Sequence, residues 1–182
     1  MRTETASLKQ AIIIGTLALL ASPLAAAHFM VAQHGTLNFV DDGVYMVLSL
    51  PMSAFNVEDI DGDGAISMQE FNTQRVGVVE ILRRQVTLQD ADVAIQLEGL
   101  MLAPELDHDS TKENISQLIV MGRYSLADVS GDLEFSTDLF GDEEPEQQLE
   151  IRASRKSQNL TQEIELSPVN KSVVLNTALL ST

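Results

Sequence analysis

Residues 36–51 read TLNFVDDGVYMVLSLP, in which two apolar-rich runs, 36–40 and 44–50, flank the acidic turn sequence DDG at 41–43. Two aspartates followed by a glycine between such runs are typical of a β-hairpin, because these residues tolerate the backbone angles of a tight turn. Pro51 ends the second run, since proline has no N–H to donate to a strand ladder. The stretch therefore predicts a pair of antiparallel strands.

The spacing of apolar residues changes to a helical period from Ser67 onward. Six apolar side chains recur at intervals of three, four and seven, which places them on one face of an α-helix. These side chains are Met68, Phe71, Val78, Val79, Leu82 and Val86. Ser67 and Glu70 also form the pattern of a capping box, in which each side chain accepts a hydrogen bond from the backbone N–H of the other residue. We predict a helix over residues 67–84.

Shorter apolar runs follow the helix at intervals of roughly ten residues, a spacing typical of an antiparallel sandwich. The predicted strands are 86–89, 93–102, 117–124, 132–135, 148–153, 161–166 and 172–175. Two acidic stretches, 104–113 and 141–146, are predicted to be loops. Five methionines are predicted to lie in the core, namely Met46, Met52, Met68, Met101 and Met121. The predicted fold class is α+β, mainly an antiparallel β-sandwich that carries one helix.

The composition limits the kinds of partner that the protein can bind. The chain has 182 residues with 11 Lys+Arg and 27 Asp+Glu, which gives a formal net charge of -16. Such a surface repels phosphate backbones, which excludes nucleic acid as a partner, and it favours cations or basic partners. The chain has 0 Cys, so disulfides, thiolate metal sites and cysteine nucleophiles are excluded.

The first 27 residues have the layout of a secretory signal peptide. Basic residues precede an apolar run at 11–21, and three alanines at 25–27 suit cleavage by signal peptidase. The apolar run has 11 residues, whereas a membrane-spanning helix needs roughly 20. We therefore predict cleavage after Ala27, a single β-rich domain over 28–182 without a membrane span, and a periplasmic or secreted location. A leader that stays attached as an anchor is the alternative.

The most specific pattern in the chain is residues 59–70, DIDGDGAISMQE, which we call the acidic loop. Carboxylates occupy its first, third, fifth and twelfth positions, and glycine occupies its sixth. Ca²⁺ is a hard cation that takes about seven oxygen ligands near 2.4 Å, and alternate residues of a tight loop can point toward one centre. The pattern therefore predicts a calcium site. An acidic turn that only caps the following helix is the alternative.

In this pattern the acidic loop resembles the EF-hand calcium loop. The resemblance implies that one Ca²⁺ is bound at six positions of the loop. These are Asp59, Asp61, Asp63, Ala65 through its backbone carbonyl, Ser67 through water, and Glu70 through both carboxylate oxygens. It also implies that the glycine at the sixth position permits a sharp turn of the backbone.

The resemblance extends over the acidic loop and the helix that follows it. Only residues 52–57 are left for a helix before the loop, and the sequence contains no second loop of this kind. A calmodulin-like switch needs paired hands, so an isolated loop favours calcium in a structural role. Extracellular calcium modules bind at roughly 10⁻⁴–10⁻³ M. We therefore expect a bacterial extracytoplasmic calcium-binding protein of modest affinity.

Histidines near the predicted cleavage site support an alternative function. Cleavage after Ala27 makes His28 the N-terminal residue, and His34 follows six positions later. An α-amine together with an imidazole is a good chelate for copper or nickel. The alternative prediction is a periplasmic protein that binds or delivers one of these metals.

No group of residues in the sequence predicts catalysis. The sequence lacks the Gly-x-Ser-x-Gly elbow of hydrolases, the metal-binding helix of zincins and a phosphate-binding glycine loop. The carboxylate pair Glu143-Glu144 lies in a charged stretch, where solvation is the expected role. We therefore predict that the protein is not an enzyme.

Overall fold

The computed structural model describes most of the chain beyond the predicted leader. The described residues are 33–107, 113–127, 129 and 131–180. The predicted signal peptide and His28 lie outside them. In this described part, no helix combines the length and the apolar character that a membrane crossing requires.

Strands dominate the described residues, and one α-helix, α1, spans Met68–Gln85. The strands are β1 Gln33–Val40, β2 Gly43–Pro51, β3 Val86–Asp90, β4 Val93–Ile95, β5 Leu97–Leu106, β6 Ile115–Ser125, β7 Leu133–Thr137, β8 Leu149–Arg155, β9 Leu160–Leu166 and β10 Ser172–Val174. Short 3-10 helices span Met52–Phe55, Glu144–Gln147, Lys156–Gln158 and Thr177–Leu179. The predicted α+β class is thereby confirmed.

The larger sheet has six strands in the order β5-β6-β2-β1-β8-β9. The predicted hairpin lies at its centre, where β1 and β2 pair up to the turn contact between Val40 and Gly43. Asp41 in this turn has a φ of 51°, a left-handed angle that aspartate tolerates. The pair β1–β8 is parallel, whereas the other pairs in this sheet are antiparallel. The sheet is therefore mainly, but not wholly, antiparallel.

The smaller sheet has four strands in the order β10-β7-β3-β4. Its edge strand β4 shows that the predicted single strand over 93–102 is wrong. Strand β4 ends at Ile95, and after Gln96 the chain continues as β5, which joins the six-stranded sheet beside β6. Two strands of different sheets therefore follow one another with a single residue between them. The apolar-rich pattern of residues 93–102 does not reveal such a crossing between sheets.

A β-bulge in β5 explains why Met101 does not lie in the core. The register against β6 shifts immediately before Met101, and Gly99 in this bulge has a φ of 59°. Glycine accepts this angle without steric cost. The extra residue reverses the inward and outward alternation: Leu97 is buried before the bulge, whereas Leu100 and Leu102 are partly buried after it. Met101 is consequently 58% exposed. Met46 and Met52 are buried as predicted, and Met68 and Met121 are partly buried.

The start of the predicted loop over 104–113 is wrong, because β5 continues to Leu106. Residues 108–112 of this stretch lie outside the described residues. Pro104 lies inside this strand, where its missing N–H would normally interrupt a ladder. The strand tolerates it because β5 is an edge strand of the six-stranded sheet. The stretch 141–146 lies outside the strands as predicted, although its end enters the 3-10 helix Glu144–Gln147.

Helix α1 confirms the predicted start, period and capping of the helix. Ser67 is the N-cap residue, and both hydrogen bonds of the capping box are present. Phe71, Val78 and Leu82 are buried on one face and join the core formed by residues of both sheets. The helix is therefore anchored through its apolar face, and its capped first turn includes the last residues of the acidic loop.

Tyr124 links the two sheets through the core. Its side chain is fully buried, and its hydroxyl donates to the backbone carbonyl of Val86 at 3.3 Å. Burial raises the pKa of Tyr124 well above its usual range. The hydroxyl therefore stays protonated and keeps the donor that joins β6 to β3.

Candidate metal centre

The acidic loop follows the 3-10 helix Met52–Phe55, and its last three residues belong to the first turn of α1. The stretch 52–57, which left little room for a helix before the loop, forms this single 3-10 turn. The turn ends at Asn56 in the left-handed conformation, with φ 48° and ψ 40°. Phe55 on one side of the loop and Phe71 on the other are both buried. The loop is thus attached to the core at both ends, while half of its own residues are exposed.

Asp59 organises the backbone of the loop. Its Oδ1 accepts from the N–H of Gly62 at 2.8 Å and of Asp63 at 3.3 Å, and its Oδ2 accepts from the N–H of Gly64 at 2.7 Å. Gly62 and Gly64 have φ angles of 72° and 82°, and a Cβ at either position would be strained by its backbone. The loop therefore folds around the first carboxylate, and both glycines are needed for its path.

Two further aspartates complete this turn. Asp61 accepts from the backbone N–H of Asp63 at 3.1 Å, and Asp63 accepts from that of Ala65 at 2.9 Å. The structure brings Asp59, Asp61 and Asp63 together, so that one carboxylate oxygen of each lies within 4.8 Å of the others. Residues 51–74 contain no lysine or arginine. A cation from solution would therefore reduce the mutual repulsion of these three charges.

Glu70 makes contacts that differ from those of the three aspartates. It is 7% exposed, and the group of carboxylates within 4.8 Å does not include it. Its Oε2 accepts from the backbone N–H and the hydroxyl of Ser67, both at 2.8 Å, and its Oε1 accepts from the N–H of Ile60 at 2.8 Å. These hydrogen bonds, with those from Ser67 contributing most, lower the pKa of Glu70 to about 2. The carboxylate is therefore ionised and connects the start of the loop to its end.

The other predicted ligands lie in the second half of the loop. Ala65 is nearly buried, with 9% exposure, and Ser67 is the N-cap of α1. The Ser67 side chain thus has a capping role in this arrangement, because its oxygen accepts from the N–H of Glu70 at 3.3 Å. All the predicted donors are oxygens of carboxylate, carbonyl or hydroxyl groups, and such a set suits a hard cation such as Ca²⁺.

Two residues outside the predicted set also hold the loop in place. The Gln74 side chain accepts from the backbone N–H of Glu58 and donates to its carbonyl, both at 2.8 Å. The Asn114 side chain accepts from the backbone N–H of Ile66 at 3.1 Å. Gln74 lies one helical turn after Glu70, a spacing that could have indicated it. Asn114 is 48 residues from its partner, and no local pattern points to it.

The described residues give no geometric support to the alternative copper or nickel site at His28 and His34. His34 lies in β1, where its side chain is exposed, and His28 lies outside the described part of the chain. The copper or nickel chelate thus stays a prediction from the sequence.

Comparison with known proteins adds no further information on this site. No protein-family model matches the chain, and no curated protein is similar to it in sequence. The interpretation of the acidic loop therefore depends on its pattern and its geometry.

Proposed function

We propose that this chain is a calcium-binding protein with one EF-hand site in the acidic loop, and that the ion has a structural role. The observation that carries the proposal is the meeting of Asp59, Asp61 and Asp63 within 4.8 Å, on a loop whose twelve residues match the calcium pattern. With the leader expected at residues 1–27, the protein acts outside the cytoplasm. The proposal assigns no catalytic residue.

Each donor has a defined part in the proposed site. Asp59, Asp61 and Asp63 supply charged oxygens at the three positions that open the pattern. Ala65 supplies a backbone carbonyl, and Glu70 supplies both oxygens of its carboxylate. Because Glu70 now accepts N–H groups of the loop, binding of the ion exchanges some of these hydrogen bonds for metal contacts. Calcium binding therefore requires Glu70 to give up part of its hydrogen bonding at the start of α1.

The packing around the loop favours a structural role over a sensor role. A calcium sensor opens a helix pair and exposes an apolar groove. Here α1 is fixed to the core by Phe71, Val78 and Leu82, which are at most 2% exposed. Release of this face would remove a large apolar surface from the core of both sheets. Calcium binding at the loop is thus expected to stiffen the junction between β2 and α1 without opening it.

Calorimetric titration with CaCl₂ tests the function directly. We expect one site per chain with a dissociation constant of about 10⁻⁴–10⁻³ M, the range of extracellular modules. Titration with MgCl₂ serves as the control, because Mg²⁺ demands shorter, octahedral contacts and gives up its water reluctantly. Absence of heat, together with an unchanged melting temperature at several millimolar calcium, would contradict the proposal.

Removal of calcium is expected to lower thermal stability while the sheets remain folded. At a free concentration ten times the dissociation constant, binding contributes about 1.4 kcal/mol to the free energy of unfolding. For a domain of this size the melting temperature should shift by about 3–6 °C. Far-UV circular dichroism with calcium and with a chelator measures both the shift and the strand content. Complete unfolding on chelation would contradict the expectation that the sheets stay folded without calcium. Dye binding induced by calcium would contradict a structural role and favour a sensor.

A further inference from the structure

Ile66 in the acidic loop has both of its backbone polar groups engaged by the start of β6. Its N–H donates to the Asn114 side chain at 3.1 Å, and its carbonyl accepts from the N–H of Ile115 at 2.8 Å. Asn114 is partly buried, and Ile115 is 2% exposed. The contact therefore joins the loop to the buried start of a strand of the six-stranded sheet.

The position of Ile66 makes this contact relevant to the metal site. It lies between Ala65, whose carbonyl is a proposed ligand, and Ser67, which begins α1. Rotation of the peptide on either side of Ile66 would move that carbonyl and alter the helix start. A fixed Ile66 therefore fixes the second half of the site before any ion arrives, which lowers the entropic cost of binding.

The same strand start also closes the connection between β5 and β6. The backbone N–H of Asp107, next to the end of β5, donates to the carbonyl of Asn114 at 2.8 Å. Asn114 thus contacts the loop through its side chain and the end of β5 through its backbone. The geometry points to Asn114 as a positioning residue of the calcium site. Through Asn114, metal binding is coupled to order at this end of the β5–β6 pair. This inference rests on the proposed function.

The coupling is reciprocal by thermodynamic necessity. If calcium binding requires Ile66 to be held in place, then calcium stabilises the hydrogen bonds of Ile66. Loss of these hydrogen bonds in turn lowers the affinity for calcium. The acidic loop therefore makes its backbone contact at Ile66 with a strand of its own domain, and no second loop of this kind is needed for it. The structural role of calcium then extends beyond α1 to the six-stranded sheet.

Calcium titration of Asn114→Ala tests this coupling. The variant loses the acceptor for the Ile66 N–H, and we expect its affinity to fall about three- to tenfold, as for the loss of one neutral hydrogen bond. Asn114→Asp keeps an acceptor oxygen and should bind at least as tightly as the parent. Asn176→Ala is the matched control, because Asn176 accepts from the N–H of Ala178 in the C-terminal 3-10 helix. Its affinity for calcium should equal that of the parent.

Hydrogen exchange provides a second measurement that does not depend on a variant. Calcium should slow the exchange of the Ile115 amide several-fold relative to Ile164, which lies in the β8–β9 pair and reports on the rest of the sheet. If the parent binds calcium, but Asn114→Ala binds equally well and Ile115 exchange does not respond, the coupling is wrong and the calcium site stands. If the parent does not bind calcium at all, the proposed function and the coupling both fail.

Discussion

Replacement of Glu70 by Gln is expected to weaken calcium binding by about a hundredfold or more, since changes in the outer shell of a metal site already cost 10–100-fold. The variant loses one charge and one of the two oxygens proposed to bind the ion. It also loses internal contacts, because an amide –NH₂ cannot accept from Ile60 or Ser67. Because the dissociation constant of the parent is expected to be about 10⁻⁴–10⁻³ M, calorimetry should detect no binding by the variant.

Glu58→Gln is the matched control for this experiment. Glu58 directly precedes the acidic loop and is exposed, and its hydrogen bonds to Gln74 use its backbone. The substitution therefore removes the same charge from the same region without removing a proposed ligand. We expect a small loss of affinity that disappears in high salt, because exposed charges are screened. Equal affinities of the Glu70 variant and the parent would show that Glu70 is not a ligand.

Phe71→Ala is expected to lower the free energy of unfolding by about 3–5 kcal/mol. The Phe71 side chain is 0% exposed and lies in the first turn of α1, where it joins the core of both sheets. Its loss leaves a cavity that the surrounding strands fill only in part. Urea denaturation followed by circular dichroism measures the change, with both chains saturated by calcium so that binding does not contribute to the difference.

Val76→Ala separates the role of this core contact from that of helix propensity. Val76 is 73% exposed on the same helix, and alanine is the better helix former. The free energy of unfolding should therefore change by no more than about 0.5 kcal/mol. A loss below about 1 kcal/mol for the Phe71 variant would show that α1 is not anchored to the sheets through its apolar face.

Local patterns were sufficient for much of the fold. The turn at residues 41–43 and the start of α1 at Ser67 were predicted, because glycine, aspartate and a capping box act on neighbouring backbone groups. The parallel pairing of β1 with β8 joins segments that are far apart in the chain, and neither strand carries a signal for it. The crossing at Gln96 was missed for a similar reason, since it depends on which sheet each strand joins.

The candidate site shows the same division between local and distant contacts. The aspartates of the acidic loop converge because they lie two residues apart and accept N–H groups within the loop. The contact of Asn114 with Ile66 spans 48 residues and depends on the placement of β6. The loop alone therefore predicted the donor oxygens but not the strand that holds them. Gln74 is intermediate: it lies one helical turn after Glu70, but its partner Glu58 is 16 residues away in the chain.

An anomalous difference map from crystals grown in calcium tests the central claim most directly. The account predicts one peak in the acidic loop, within about 2.3–2.6 Å of oxygens from Asp59, Asp61, Asp63, Glu70 and the Ala65 carbonyl. The same map from crystals grown with a chelator should lack this peak, while α1 and both sheets keep their positions. Absence of a peak at the loop in crystals grown in calcium would contradict the account. A peak found only beside carboxylates elsewhere on the surface would contradict it as well.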